Sequence, residues 1–321
     1  MSKVSDRTLG WGYAAGWSLL KVLPEQTAYG IFDRVADRVW KKRGKGILQL
    51  EANLVRVLGK DASPEDLAAM SRKGMRSVMR YYCEAFRLPA WSRDRIVDSI
   101  DITDEDALRL KDALTSGRGA MMALGHTGNY DHAGAWLLSF HQSFTTVAEH
   151  LKPEYVYKKF YGYRRGLGME VLPHDGGPGV FGTLAQRLRA GGAVCLVADR
   201  DLSASGVAVD FFGETVRMAA GPAALAVQTG AVLLPCTLWY SAPGRMGIRI
   251  HPEVPVPAEG TRQEKTAQMT QALADAYAQG IAAHPEDWHM LQKYFLSDLG
   301  PAKAPRGAET AAAVPPPGSG S

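Results

Sequence analysis

The hydrophobic rhythm of the chain changes near residue 119. Before that point, residues 47–115 place apolar side chains at helical spacing, and Met75, Val78, Met79 and Tyr82 share one face. Ser63-Pro64-Glu65-Asp66 predicts a helix start, with Ser63 as N-cap and Pro64 at the first helical position, where a missing N–H does no harm. Beyond 119, short apolar runs at Ala120–Leu124, Phe144–Ala148, Met169–Leu172, Ala193–Ala198 and Ala231–Leu238 alternate with helical stretches near 131–140, 153–166, 180–190 and 219–229. This alternation predicts an α/β fold: a mostly parallel central sheet with helices on both faces, preceded by a helical N-terminal region. Arg245–His251 adds a strand and residues 263–283 a helix. The stretch from Gly300 to Ser321, rich in Pro, Ala, Gly and Ser, predicts a disordered tail. The expected organisation is a basic amphipathic helical region over 1–60, an α/β domain over 61–299 that forms one domain with it, and the tail 300–321.

Charge sharpens the reading of the first region. Residues 1–60 hold 11 Lys and Arg against 5 Asp and Glu, whereas the remainder holds 26 against 28. A near-neutral body argues against a nucleic-acid binder, and the local excess suggests that one end meets an anionic surface. Leu9–Leu23 is apolar, but at about 15 residues, with Lys21 inside and Pro24 after it, it is too short to span a bilayer. It lacks the order of basic start, apolar run and small-residue cleavage site of a signal peptide. Phe32, Val35 and Val39 recur at helical spacing between Asp33, Arg34, Asp37 and Arg38, and Lys41-Lys42-Arg43-Gly44-Lys45 follows. Two readings are open: a helix lying in an anionic lipid interface, or a core-packing helix with a solvated basic end. The cysteines, Cys83, Cys195 and Cys236, form no C-x-x-C pair, which indicates neither a disulfide framework nor a structural zinc site and suggests a reducing cytosol.

Candidate chemistry collects after the strands. Gly125-His126-Thr127-Gly128-Asn129-Tyr130-Asp131 follows one strand and opens a helix. With His126 in the turn and Asp131 in the first helical turn, the carboxylate can orient one imidazole nitrogen and leave the other as a general base. With no serine in this arrangement, the nucleophile would be a substrate hydroxyl. Two rival motifs are present. Gly177-Pro178-Gly179-Val180-Phe181-Gly182 matches G-x-G-x-x-G, with Asp199 where a ribose-binding acid would stand in a nicotinamide enzyme; against it, Pro178 removes a backbone donor. Asp199-Arg200-Asp201 matches the D-x-D of a metal-dependent glycosyltransferase, or a simple ion pair at a strand end. A peripheral membrane protein without catalysis is a third possibility.

The loop GHTGNYD, the following ADRD, the string from Gly206 to Glu214 (GVAVDFFGE), and Ala219–Ala226 with Thr229-Gly230-Ala231 and Pro235 resemble, in order, the blocks of the lipid A biosynthesis acyltransferase family over residues 120–238. Within that family the HTGNYD form and the DRDL and VDFFGE strings look most like the actinobacterial branch that acylates phosphatidylinositol mannosides. The resemblance implies transfer of a fatty acyl group, typically palmitoyl, from acyl-CoA to the 6-hydroxyl of the mannose on inositol C2 of a mono- or dimannoside. It implies acyl-CoA as co-substrate, no other cofactor, no metal, and a peripheral position on the cytoplasmic face of the plasma membrane. It carries His126 as base and Asp131 as its orienting carboxylate, and it places a further helping carboxylate at Asp199 or Asp201. Glu149 and Arg164 fall where the family binds substrate groups, and Gly206 and Thr229 stand in matched blocks as substrate-binding candidates. Arg164, Arg165 and Arg200 suit the phosphates of CoA or inositol. The Asn129 amide or nearby backbone N–H groups would stabilise the oxyanion. The small residues of Gly221–Val227 either leave an acyl slot or simply pack closely. A covalent acyl-enzyme is not expected, since no G-x-S-x-G elbow is present.

Overall fold

A computed structural model describes residues 20–148, 161–173, 178–201 and 205–299. Most of Leu9–Leu23, residues 153–160 of the expected helix, Glu149, Gly177 and the tail 300–321 lie outside the described residues. The chain begins its described course in three helices, α1 (Glu25–Lys41), α2 (Lys45–Leu58) and α3 (Pro64–Arg87). Ser63 caps α3 by accepting the Asp66 N–H at 3.0 Å, and Pro64 opens the helix. The helices pack through Ala36, Ile47, Met75 and Val78. The helices over residues 25–58 therefore do not hang free: Ala28, Ala36, Leu50 and Leu54 are fully buried. The outer side of α1 differs. Ile31, Val35 and Val39 stay exposed at helical spacing, beside exposed Arg34, Arg38 and Lys42. Among the described residues, no helix is long and apolar enough to cross a membrane.

After α4 (Arg93–Asp98), the elements are β1 (Ile100–Asp101), α5 (Asp104–Thr115), β2 (Ala120–Leu124), α6 (Tyr130–Leu137), β3 (Phe144–Ala148), β4 (Glu170–Pro173), α7 (Pro178–Arg189) and β5 (Ala193–Val197). Then come β6 (Val207–Phe211), β7 (Glu214–Met218), α8 (Gly221–Thr229), β8 (Val232–Ala242), β9 (Arg245–Ile250) and α9 (Arg262–Ala283). Among the described residues, seven strands form one sheet in the order β1-β9-β8-β2-β5-β3-β4. The five from β8 to β4 run parallel, while β9 returns antiparallel to β8 and β1 lies parallel to β9. The expected strands are present with small shifts: β4 starts at Glu170, and β8 continues to Ala242. The two-stranded β6–β7 hairpin and the short β1 are additions that the apolar pattern does not predict.

Alternation along β2 explains the two cores. Met121 and Ala123 face one side, with Val194, Leu233, the inner faces of α7, α8 and α9, and Trp288 and Tyr294. Met122 and Leu124 face the other, with Cys236, Phe144, α5 and α6. All five residues of β2 are buried, as expected of a central strand covered on both faces.

Candidate active site

β2 and β5 are neighbours and end level. Leu124 pairs with Val197, and the Ala198 N–H donates to the Leu124 carbonyl at 2.8 Å. Residues just past the two strands therefore meet, and these are His126 and Asp199. One Asp199 oxygen accepts the His126 backbone N–H at 2.9 Å, and the other lies 2.5 Å from Nδ1. Asp199 is 1% exposed and the His126 side chain 31% exposed, so the carboxylate is walled in while the ring reaches solvent. Burial raises the Asp199 carboxyl, but the His126 charge and the hydrogen bonds from His126 outweigh it, and the group stays below the usual carboxylate value. The Tyr294 hydroxyl donates to the Asp199 carbonyl at 2.6 Å and fixes its backbone. With Nδ1–H directed at Asp199, Nε2 carries the free lone pair.

Asp131 does not orient His126. The loop turns at Gly128, whose φ of 51° is left-handed and where a Cβ would stand 2.9 Å from Leu238 Cβ. α6 then carries Asp131 away from the histidine, toward α3 and residues 161–166. There Asp131 is buried, accepting from the Tyr81 hydroxyl at 2.9 Å and from Arg164 Nε at 2.7 Å. Asn129 is fully buried too. Its oxygen caps α6 by accepting the His132 N–H at 3.0 Å, and its amide donates to Glu84 at 2.9 Å. The expected oxyanion amide is thus a helix cap tied to α3.

The other candidates are dispersed. Arg165 is exposed, with its guanidinium 5.7 Å from the Tyr161 ring centre, and Arg200 donates to the Gln292 side chain at 2.7 Å. The Asp201 N–H donates to the Arg217 carbonyl at 2.9 Å, and its carboxylate accepts from the Ser205 hydroxyl at 3.3 Å. Gly206 passes so close to Asp201 that a Cβ would lie 2.8 Å from its carbonyl oxygen, which explains the glycine without a ligand. Thr229 closes the last turn of α8 by donating to the Leu225 carbonyl at 2.7 Å. It precedes β8 and so lies at the amino ends of the parallel strands, opposite His126, and cannot share its site. Asp199 is committed to His126, and among the described residues no group of three or more His, Cys, Asp or Glu could hold a metal ion.

An apolar cavity of about 90 Å³ lies beneath α6, on the face of the sheet that carries Met122 and Leu124. Val197, Cys195, Phe144 and Met169 contribute to its walls, and Tyr130, Asp131, Thr146 and Arg164 are among its polar members. The Tyr130 ring connects it to the dyad, with its centre 6.5 Å from that of the His126 imidazole. In α8, Ala223, Leu225 and Ala226 are fully buried and packed in the opposite core, while Ala224 is half-buried.

Residues 2–297 match the family described as bacterial lipid A biosynthesis acyltransferase. The chain belongs to this family. It is 47% identical to the phosphatidylinositol mannoside acyltransferase of Mycolicibacterium smegmatis over 291 residues, covering 90% of this chain and 91% of that one. To the proteins of the same name from two Mycobacterium tuberculosis strains it is 46% identical over 301 residues, covering 93% of this chain and 92% of theirs.

In this family member, several residues around the dyad have no local signature. Glu84 on α3 is 1% exposed and gathers Asn129, Arg80 Nε at 2.7 Å and the Tyr29 hydroxyl at 3.0 Å. Tyr81, Ser77, Asp287 and His289 also crowd the loop from distant parts of the chain. Glutamate and serine at inward positions of an otherwise apolar helix face, Ser77 and Glu84 on α3, are the one sequence signal that could have marked them.

Proposed function

We propose that this acyltransferase moves a palmitoyl group from acyl-CoA to the 6-hydroxyl of the mannose on inositol C2 of phosphatidylinositol mono- or dimannoside. It would do so as a peripheral protein on the cytoplasmic face of the plasma membrane. The relatives' names support the acceptor, and the observation that carries the chemistry is the His126–Asp199 pair beside the apolar cavity. In this reading His126 Nε2 takes the proton of the mannose hydroxyl as its oxygen attacks the thioester carbonyl. The new C–O bond forms, the C–S bond breaks with its electron pair leaving on sulfur, and the imidazolium returns the proton to the CoA thiolate. Asp199 stabilises the imidazolium and holds its tautomer without taking the proton.

Part of the fatty chain would enter the cavity under α6, where burying each methylene contributes about 0.8 kcal/mol. Arg165 and Arg200 are the cations suited to the CoA or inositol phosphates. The exposed Ile31, Val35 and Val39 with Arg34, Arg38 and Lys42 support docking of α1 on an anionic lipid surface. The test is transfer of radiolabelled acyl from palmitoyl-CoA to mannosylated phosphatidylinositol in the presence of EDTA, by wild type and His126→Ala. Wild-type transfer lost in the variant is expected. No wild-type transfer overturns the acceptor and donor, and transfer unaffected by the substitution overturns the base.

A further inference from the structure

Residues 287–289 lie antiparallel to the His126 loop like an added edge strand. The His289 N–H donates to the His126 carbonyl at 2.8 Å, Thr127 and Trp288 form a β-bridge, and the Gly128 N–H donates to the Asp287 carbonyl at 3.1 Å. The side chains of this segment are anchored in turn. One Asp287 oxygen accepts the Tyr240 N–H of β8 at 2.7 Å, and the other accepts the Ser77 hydroxyl of α3 at 2.6 Å. Ser77 Oγ is also 2.8 Å from His289 Nε2. A hydroxyl has one proton, and Ser77 directs it at the carboxylate, so the contact requires His289 to donate from Nε2–H. Trp288, between the two anchors, is fully buried against Phe211 and Tyr294. Burial and the His126 charge hold the His289 imidazole down to about 3, so it stays a neutral link, and burial pushes the Asp287 carboxyl up to about 6.

The geometry points to Asp287 and Ser77 as positioning residues for the reaction: their side chains lock the 287–289 strap, and the strap holds the His126 loop in register through its own backbone hydrogen bonds. Asp199 sets the tautomer and one edge of the ring. The strap fixes the backbone from which the ring projects, and its central anchor, the Ser77–Asp287 bond, is buried, where a hydrogen bond is worth more than at the surface. A displacement of about 1 Å at such a loop is enough to reduce turnover substantially without weakening substrate binding.

This inference rests on the His126 reading for its kinetic consequence, but not for its structural one. Hydrogen exchange of the peptide 125–130 is therefore measured beside acyl transfer, in full-length wild type, Asp287→Ala, Asp287→Asn and Ser77→Ala. Asp287→Ala is expected to speed exchange in 125–130 by about tenfold while residues 120–123 stay protected, with kcat down about tenfold and KM for acyl-CoA within about twofold. Asp287→Asn is expected to recover most of both. Its oxygen still accepts from Tyr240, its amide can donate to Ser77, and the chain to His289 then runs in the reverse direction. If Asp287→Ala does not fold, Ser77→Ala, which keeps Asp287 and all its backbone bonds, decides by the same two readouts. Unchanged exchange in folded Ser77→Ala and Asp287→Ala overturns the strap, as does a loss expressed wholly in KM. If the wild type transfers no acyl group, the functional reading falls while exchange still decides the strap.

Discussion

The Asp199 carboxylate grips His126 at two points, the ring through Nδ1 at 2.5 Å and the backbone through the N–H at 2.9 Å. One residue thus sets both the tautomer and the position of the proposed base. Asp199→Asn keeps the shape but can turn an N–H toward Nδ1, which moves the ring proton to Nε2 and removes the base. A fall of about 10²–10⁴-fold in kcat is expected, with little change in Tm, in steady-state acyl transfer combined with thermal melting.

Asp131 separates structure from chemistry. It is the buried partner of Arg164, and Asp131→Ala leaves that guanidinium without its counter-charge. A loss of about 3–5 kcal/mol in urea unfolding is expected, much larger than that of Asp199→Asn. Equal and small losses for both variants would place the pair's contribution elsewhere.

The cavity gives a chain-length prediction. Cys195 lines it from β5, and Cys195→Phe inserts a ring into space the acyl chain would take. Palmitoyl-CoA should lose about tenfold or more in kcat/KM relative to octanoyl-CoA, consistent with the few methylenes displaced. An unchanged ratio would put the acyl chain on another surface.

His251, whose Nε2 is 3.0 Å from the Thr237 hydroxyl, carries a pH prediction remote from the dyad. Burial, with neighbouring Arg249, lowers its imidazole from 6.5 to about 4. A histidine with a lowered folded-state value is neutral in the fold at a pH where the unfolded chain already binds a proton. Stability is therefore full above about 6.5 and falls between 6.5 and 4, by up to about 3 kcal/mol from this group. His251→Gln should flatten that part of the profile relative to wild type when unfolding is followed from pH 7 to 4.

For the α1 surface, neutralising Arg34, Arg38 and Lys42 to Gln removes three cations at about 1 kcal/mol each near an anionic membrane, a drop of about 10²-fold in binding to phosphatidylinositol-containing vesicles. Sedimentation with phosphatidylcholine vesicles should show no such difference. Equal sedimentation of both proteins with both lipids would remove the electrostatic part of the docking.

What the sequence reveals follows from what is encoded locally. Ala120–Leu124 and Ala193–Val197 are legible because strands covered on both faces are unbroken apolar runs, and Ser63-Pro64 is legible because a helix start is chemistry within four residues. The β6–β7 hairpin is obscured because each strand is five residues long with only two buried apolar positions, Val209 and Phe211 or Val216 and Met218, and so forms no unbroken apolar run. His126 stands out by its glycine-bounded turn. Its partner is not marked by local pattern: the family resemblance leaves Asp199 or Asp201, and only the pairing of β2 with β5 brings Asp199 to it across 73 residues, whereas Asp131 is merely near in sequence. The charged and polar residues of α3 that surround the loop are hidden for the same reason: each is explained only by a partner elsewhere in the chain.

The seam between residues 126–128 and 287–289 also imposes an order in time. A ribosome makes every strand of the sheet before it reaches Asp287, since β9 ends at Ile250. A nascent chain can thus assemble its sheet and pair His126 with Asp199 while one flank of the loop is still open. The second flank of the loop is therefore completed only once the final segment has been made and has paired with residues 126–128.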